Sequence, residues 1–182
     1  MPATDTITCY TNDGRAVPVP RDQVTLRPGV YGVAFTPDRG QVLLTRDRRS
    51  NVWELPGGGI DPGEAAAAAM VREFKEEVGL DITLGPPIYF AEAFYYHDKD
   101  TAPGGWHSLK LFYLVHTSGT LDPHYEENRG QGGVNFGAAW VPIEELEGVD
   151  MLADHYDAVQ RAVQWLDSTE GPVVDDSDDD DD

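Results

Sequence analysis

The chain has 182 residues, 40% hydrophobic and 25% charged, with a formal net charge of −20. That size and composition suit one folded domain with a real core, and the acidity argues against nucleic acid and anionic membrane surfaces as partners. A single cysteine, Cys9, excludes an intramolecular disulfide and disfavours a cysteine-based zinc site.

The first ten residues, MPATDTITCY, have neither the basic nor the apolar region of a signal peptide. No run approaches the length of a membrane helix, so a cytoplasmic protein is the expectation. Residues 1–27 are interrupted by prolines and read as an N-terminal segment with one short strand at Ile7–Tyr10. The domain proper is expected over residues 28–167. Val30–Phe35, the turn Pro37–Gly40 and Gln41–Thr45 read as a hairpin. Arg46, Arg48 and Arg49 then form a basic patch, followed by Val52–Leu55 and a glycine loop at Gly57–Gly59.

A helix is expected over Pro62–Val78. Asp61 offers a cap, Pro62 suits the first helical position, and Glu64 stands three residues after Asp61. Ala65–Ala69 are strong helix formers, and Gly79 supplies the stop. At 100° per residue, Ala67, Val71, Phe74 and Val78 fall on one stripe, which should face a sheet. Glu73, Glu76 and Glu77 fall roughly opposite, with the small Ala66 and Ala69 beside them.

Strands are expected at Ile82–Leu84, Ile88–Tyr95, Leu109–His116 and Ala138–Val141, with loops at His97–Trp106 and Ser118–Gly137. A helical turn at Ile143–Leu146 precedes a helix over Asp150–Leu166. Residues 168–182 end in seven aspartates among eight residues and are expected to be a disordered acidic tail. The pattern is that of an α/β (α+β) domain, a mixed sheet between helices.

The three glutamates repel one another within one turn, which destabilises a helix by a few tenths of a kcal/mol per pair. They also sit near the helix C-terminus, where the macrodipole disfavours anions. A bound divalent cation removes both penalties, and hard oxygen ligands suit Mg²⁺ or Mn²⁺. The ordinary alternative is a solvated acidic face.

Gly58, five residues, Glu64, seven residues and then Arg72-Glu73-Phe74-Lys75-Glu76-Glu77-Val78-Gly79-Leu80 together resemble the signature of the Nudix (MutT-like) hydrolases. Phe74 stands where an aliphatic residue is commoner. Leu55–Gly59 and Trp140–Leu146 also resemble the family, so the likeness spans about residues 28–166. It implies an α/β/α sandwich with the signature as loop–helix–loop. It implies hydrolysis of a nucleoside diphosphate linked to another group, with Mg²⁺ or Mn²⁺. It implies Glu73, Glu76, Glu77 and the Gly58 carbonyl as metal ligands. Arg72 would orient a catalytic glutamate, and Glu64 would be mainly structural. The general base stays open between Glu73, Glu76 and a loop glutamate, Glu126 or Glu127.

Arg46 and Arg48 are candidates for holding phosphate, and Trp53 and Tyr95 for lining the substrate pocket; each has an equally ordinary reading as surface charge or core. The expected partner is a small nucleotide, without nucleic acid or membrane, and with homodimerisation left open. The rival reading is a catalytically silent nucleotide-binding sensor of the same fold, marked by loss of the acids that are all present here. An isoprenoid diphosphate isomerase is disfavoured because Cys9 lies outside the signature region.

Overall fold

The computed structural model describes residues 5–11, 13–47, 51–99, 102–125 and 135–169. A six-stranded sheet has the order β2-β1-β7-β8-β3-β6. Its strands are β1 (Thr6–Tyr10), β2 (Ala16–Pro20), β3 (Val24–Ala34), β6 (Gly57–Gly59), β7 (Asp81–Lys99) and β8 (Ala102–Ser118). β3 and β8 run parallel from Val24↔Gly105 to Ala34↔Val115, whereas β7 and β8 are antiparallel, so the sheet is mixed. A second sheet orders β5 (Trp53–Glu54), β4 (Gln41–Asp47) and β9 (Asn135–Pro142).

Helix α1 (Ala66–Glu77) and helix α2 (Ala153–Thr169) belong to two different cores. Alternation along the strands sends Val30 and Leu43 to the α1 core, and Val33, Val42, Leu44 and Phe112 to the α2 core. Burial on both faces gives the three-layer sandwich expected of the α/β pattern. Phe74 is wholly buried in the α1 core, worth about 2–3 kcal/mol of hydrophobic stabilisation.

Several elements differ from the sequence reading. The N-terminal segment forms a hairpin of two strands, and β1 joins the main sheet through Tyr10↔Tyr95. Pro18 and Pro20 are tolerated because β2 is an edge strand. The two strands expected between Ile82 and Tyr95 are one long strand. Register shifts around Pro87 absorb the proline pair Pro86-Pro87. Much of the expected loop His97–Trp106 instead extends the β7–β8 hairpin, because its backbone groups pair from His97↔Gly104 outward. The last strand starts at Asn135 rather than Ala138, and α2 starts at Ala153 rather than Asp150.

Helix α1 starts at Ala66, not Pro62. Gly63 has φ +85°, outside helical space, and Ala65 is the N-cap with no side-chain cap bond. The core stripe is also rotated. Ala67 and Val71 are exposed, whereas Ala69, Met70, Phe74 and Val78 are buried. Met70 buries far more apolar surface than Ala67 would. This rotation brings Glu73 and Glu77 to the edge of the buried face, half-buried, and leaves Glu76 outside. The buried residues of α2 are His155, Ala158, Val159 and Ala162. The acidic tail lies outside the described residues beyond residue 169.

Candidate active site

The glycine loop and α1 meet edge to face. Gly57 has φ +145°, and a Cβ there would lie 2.2 Å from the Val30 carbonyl oxygen. Only glycine lets β6 pass so close to β3. A Cβ on Gly58 would lie 2.7 Å from the Glu73 carboxylate, so these two groups are in contact across the loop–helix boundary. The Gly57 N–H donates to Glu77 Oε2 at 3.0 Å.

Arg72 organises the rest. Its Nε donates to Glu64 Oε1 and its Nη2 to Glu64 Oε2, both at 3.0 Å. Nη2 also donates to the Gly59 carbonyl at 3.0 Å. Nη1 donates to Glu73 Oε1 at 2.7 Å and to Glu76 Oε2 at 3.4 Å. The Asp61 N–H donates to Glu64 Oε2 at 3.0 Å. Glu64 therefore completes half of a capping box, but its main partner is Arg72. One guanidinium fork ties the loop to the helix and partly neutralises three carboxylates.

The charges respond accordingly. Hydrogen bonding from Arg72, then the Asp61 N–H, lowers the Glu64 pKa to about 2. Glu73 goes the other way. Burial raises its pKa, Arg72 opposes this, and repulsion from Glu76 and Glu64 adds to it. A carboxylate strained towards protonation by burial and like charge is one that a cation would relieve.

The donor set fits a hard divalent cation: carboxylates of Glu73, Glu76 and Glu77 within one turn, and the Gly58 backbone against Glu73. Among the described residues, however, no three acidic, histidine or cysteine side chains come close enough to encircle an ion. Arg72 lies between Glu73 and Glu76, and Glu77 is turned to the Gly57 N–H.

The candidate substrate residues separate. Arg46 faces Trp53, with its guanidinium 5.4 Å from the ring centroid, and donates to the Asn51 carbonyl at 3.3 Å. Trp53 packs against the α2 core, and its backbone N–H donates to the Asp150 carbonyl at 2.8 Å. Arg48, Arg49, Glu126 and Glu127 lie outside the described residues. Tyr95 is on β7, where its hydroxyl accepts from Lys110 Nζ at 3.3 Å.

That contact leads to a polar cluster on the α2 side that sequence reasoning missed. Lys110 is only 5% exposed and stands 2.7 Å from Asp154 Oδ2. Oδ2 is itself a buried atom, with this ion pair but no hydrogen bond among the described residues. His155 is fully buried, and its Nδ1 accepts the Leu55 N–H at 3.0 Å. Burial, then Lys110, holds its pKa well below the ordinary histidine value, so the ring is neutral. Tyr31 packs edge-on to His155, with ring centroids 4.5 Å apart. The available signal was Lys110 itself, a lone cation inside the apolar run Leu109–Val115.

With this geometry in place, the sequence matches the NUDIX domain family over residues 25–166. The chain belongs to the Nudix hydrolase family. RNA pyrophosphohydrolases of Pseudomonas putida and Pseudomonas fluorescens are 47% identical over 55 residues, 30% of this chain and 34% of theirs. The likeness to these curated relatives thus spans about a third of their length. The MutT protein of Methanosarcina mazei superposes with a TM-score of 0.59 at 17% identity, covering 79% of this chain and 97% of that one. The NUDIX domain of Shewanella oneidensis NrtR, solved with ADP-ribose, superposes with a TM-score of 0.54 at 21% identity, covering 78% and 89%. At these identities the structures support the fold alone. No described helix is long and apolar enough to cross a membrane.

Proposed function

We propose that the protein hydrolyses a phosphoanhydride bond in a nucleoside diphosphate linked to another group, with Mg²⁺ or Mn²⁺ as cofactor. The observation that carries this is the packing of Gly58 against the Glu73 carboxylate, with Glu76 and Glu77 in the same turn of α1. Glu73, Glu76, Glu77 and the Gly58 carbonyl would hold the cation. When bound, it neutralises phosphate oxygens and acidifies water. Glu73 and Glu76 are the described candidates for taking the proton from the attacking water, and Glu127 remains the candidate beyond them. A phosphorus–oxygen bond to water forms, the anhydride bond breaks, and the leaving phosphate carries off the bonding pair. Arg72 orients Glu73 while Glu64 anchors Arg72. Arg46, Arg48, Trp53 and Tyr95 are proposed to contact the rest of the substrate.

A net charge of −20 favours a small nucleotide over a polynucleotide, and a cytoplasmic site of action is proposed with it. The RNA pyrophosphohydrolase relatives make 5′-triphosphorylated RNA a necessary competitor in any test. The second reading, a silent sensor, draws on the Arg72 guanidinium between Glu73 and Glu76 and on the ADP-ribose-bound NrtR domain. A substrate panel separates them: nucleoside triphosphates, ADP-ribose, NADH, dinucleoside polyphosphates, nucleotide sugars and triphosphorylated RNA, each with Mg²⁺ or Mn²⁺. Metal-dependent turnover of at least one supports the hydrolase. No turnover on any, with retained nucleotide binding, supports the sensor. The same samples by light scattering report whether a homodimer forms.

A further inference from the structure

Arg27 stands two residues before Gly29 on β3, so the two share a face of the main sheet. Gly29 pairs with Gly59 of β6, and the Ile60 N–H donates to the Pro28 carbonyl at 3.1 Å, which carries the pairing one step further. Arg27 is thereby the diagonal neighbour of Gly59, at roughly 7 Å. A Cβ on Gly59 would meet nothing within 4 Å, so the space over that residue is open. The next residue, Gly58, carries the carbonyl proposed as a ligand of the cation. Burial, then Glu54 and Glu77, raises the Tyr31 pKa, and Arg27 opposes them. Arg27 and Glu77 of the acidic turn therefore both lie within electrostatic reach of the Tyr31 hydroxyl.

In a chain of 33 acidic and 13 basic side chains, a cation finds a carboxylate easily. Arg21, Arg72, Lys75 and Lys110 each sit against one. Arg27 is exposed and makes no ion pair among the described residues. Its guanidinium rests instead 4.2 Å from the centroid of the Trp106 ring. Trp106 is on the same face, because it pairs with Thr25 in the β3–β8 register. An exposed contact of this kind is weak beside a two-point hydrogen bond from a guanidinium to a phosphate. The ring holds the fork near the glycine loop and leaves its N–H donors unused.

We propose that Arg27 turns from Trp106 to grip a third phosphate, so that the preferred substrates carry another phosphate directly after the nucleoside diphosphate. The cation at Glu73, Glu76, Glu77 and the Gly58 carbonyl neutralises the two phosphates of the anhydride that is cleaved. A further phosphate would meet a body of net charge −20 unless a cation faced it, and Arg27 is placed to do so. A sugar in the same position brings no charge for the guanidinium. Nucleoside triphosphates, dinucleoside polyphosphates and triphosphorylated RNA share the required chemistry, whereas ADP-ribose and nucleotide sugars lack it. This inference rests on the hydrolase reading for the position of the diphosphate, but binding tests it without turnover.

The α,β-methylene analogues of ATP, GTP, ADP and GDP resist cleavage at that bond. Each is titrated with Mg²⁺ into the wild type, Arg27→Ala and Arg27→Lys, with affinity read by calorimetry. The wild type should bind each triphosphate at least about 10-fold more tightly than its diphosphate, and Arg27→Ala should shrink that ratio about 10-fold. Arg27→Lys keeps the charge but not the fork and should fall between them. The emission of Trp106, taken as the difference between wild type and Trp106→Phe, should change on saturation with the triphosphate analogues and not with the diphosphates. kcat/KM for ATP against ADP-ribose, and for GTP against GDP-mannose, should follow the same order. Equal affinity for triphosphate and diphosphate, a preference that Arg27→Ala leaves intact, or unchanged Trp106 emission overturns the inference. A preference lost in Arg27→Ala, with no turnover of any substrate, overturns the hydrolase reading instead and leaves the Arg27 contact standing. Failure of every analogue to bind overturns both.

Discussion

Arg72 and Glu64 meet fork to fork: Nε to Oε1 and Nη2 to Oε2, both at 3.0 Å, across eight residues of chain. The pair closes the turn before α1 and leaves Nη1 free to reach Glu73. Lysine cannot reproduce this, because one ammonium is a point donor and the guanidinium is a planar fork. Arg72→Lys should therefore lose about 1–3 kcal/mol of stability, a drop of roughly 2–10 °C in Tm for a chain of this size. Turnover should fall by more than the loss of folded protein explains. A thermal melt together with kcat checks both, and an unchanged melt would show that the fork adds nothing to the fold.

Glu76→Gln removes one charge from an exposed side chain whose described hydrogen bond is the long 3.4 Å contact from Arg72. The fold should survive, with Tm within about 2 °C of wild type, since surface changes cost little. Activity should fall by about 10²- to 10⁴-fold. Wild-type turnover in this variant would mean that Glu76 neither holds the cation nor takes the proton.

Gly58→Ala would place a methyl group 2.7 Å from the Glu73 carboxylate. Glu73 must move away, so the Mg²⁺ concentration for half-maximal rate should rise by about 10-fold or more. Metal titrations of the initial rate give the answer, with circular dichroism confirming the fold. Unaltered metal dependence would separate Gly58 from the cation.

Glu54 makes stability depend on pH near neutrality. Burial, with Asp47 and Asp154 nearby and Lys110 opposing them, raises its pKa from 4.5 to about 7. Between those values the folded state holds a proton that the unfolded state has lost. Its contribution is therefore fully present below pH 4.5 and is lost as pH rises through about 7, by an amount of order 2–3 kcal/mol. Denaturant midpoints across pH 5–8 should show this decline superimposed on the other titrations, and Glu54→Gln should flatten it. A variant with the same pH profile as wild type would assign the decline elsewhere.

His155 links α2 to the strand before the glycine loop, because its neutral Nδ1 takes the Leu55 N–H. His155→Leu strands that buried donor and should cost about 1–3 kcal/mol. His155→Gln keeps an acceptor of similar reach and should recover part of it. Equal losses in the two variants would show that ring packing against Tyr31 and Phe112 matters more than the hydrogen bond.

Much of the site was legible in the chain because it is local. Gly58, Glu64, Arg72 and Glu73 fall within 16 residues, and helical spacing alone brings Arg72, Glu73, Glu76 and Glu77 to one end of α1. Even there the reading erred by about one residue of rotation. Periodicity treats Ala67 and Ala69 alike, and only the neighbouring strands decide which is buried. Arg46 and Trp53 were legible as neighbours of the loop, but not as a stacked pair turned towards the α2 core.

The sequence by itself determined the family and the acidic turn of α1, because spacing within one helix and one loop needs no partner. It also determined the two-sided sheet, since apolar runs in β3, β4 and β8 cannot rest on one face only. The tertiary structure alone decided which face of α1 is buried, where Arg72 spends its five donors, and that Lys110, Asp154 and His155 meet. The last three lie on two elements more than 40 residues apart. No sequence periodicity connects them; the β3–β8 register and the docking of α2 do. That is why the glycine, glutamate and arginine of the signature were readable from the chain, and the Lys110–Asp154–His155 cluster only from the fold.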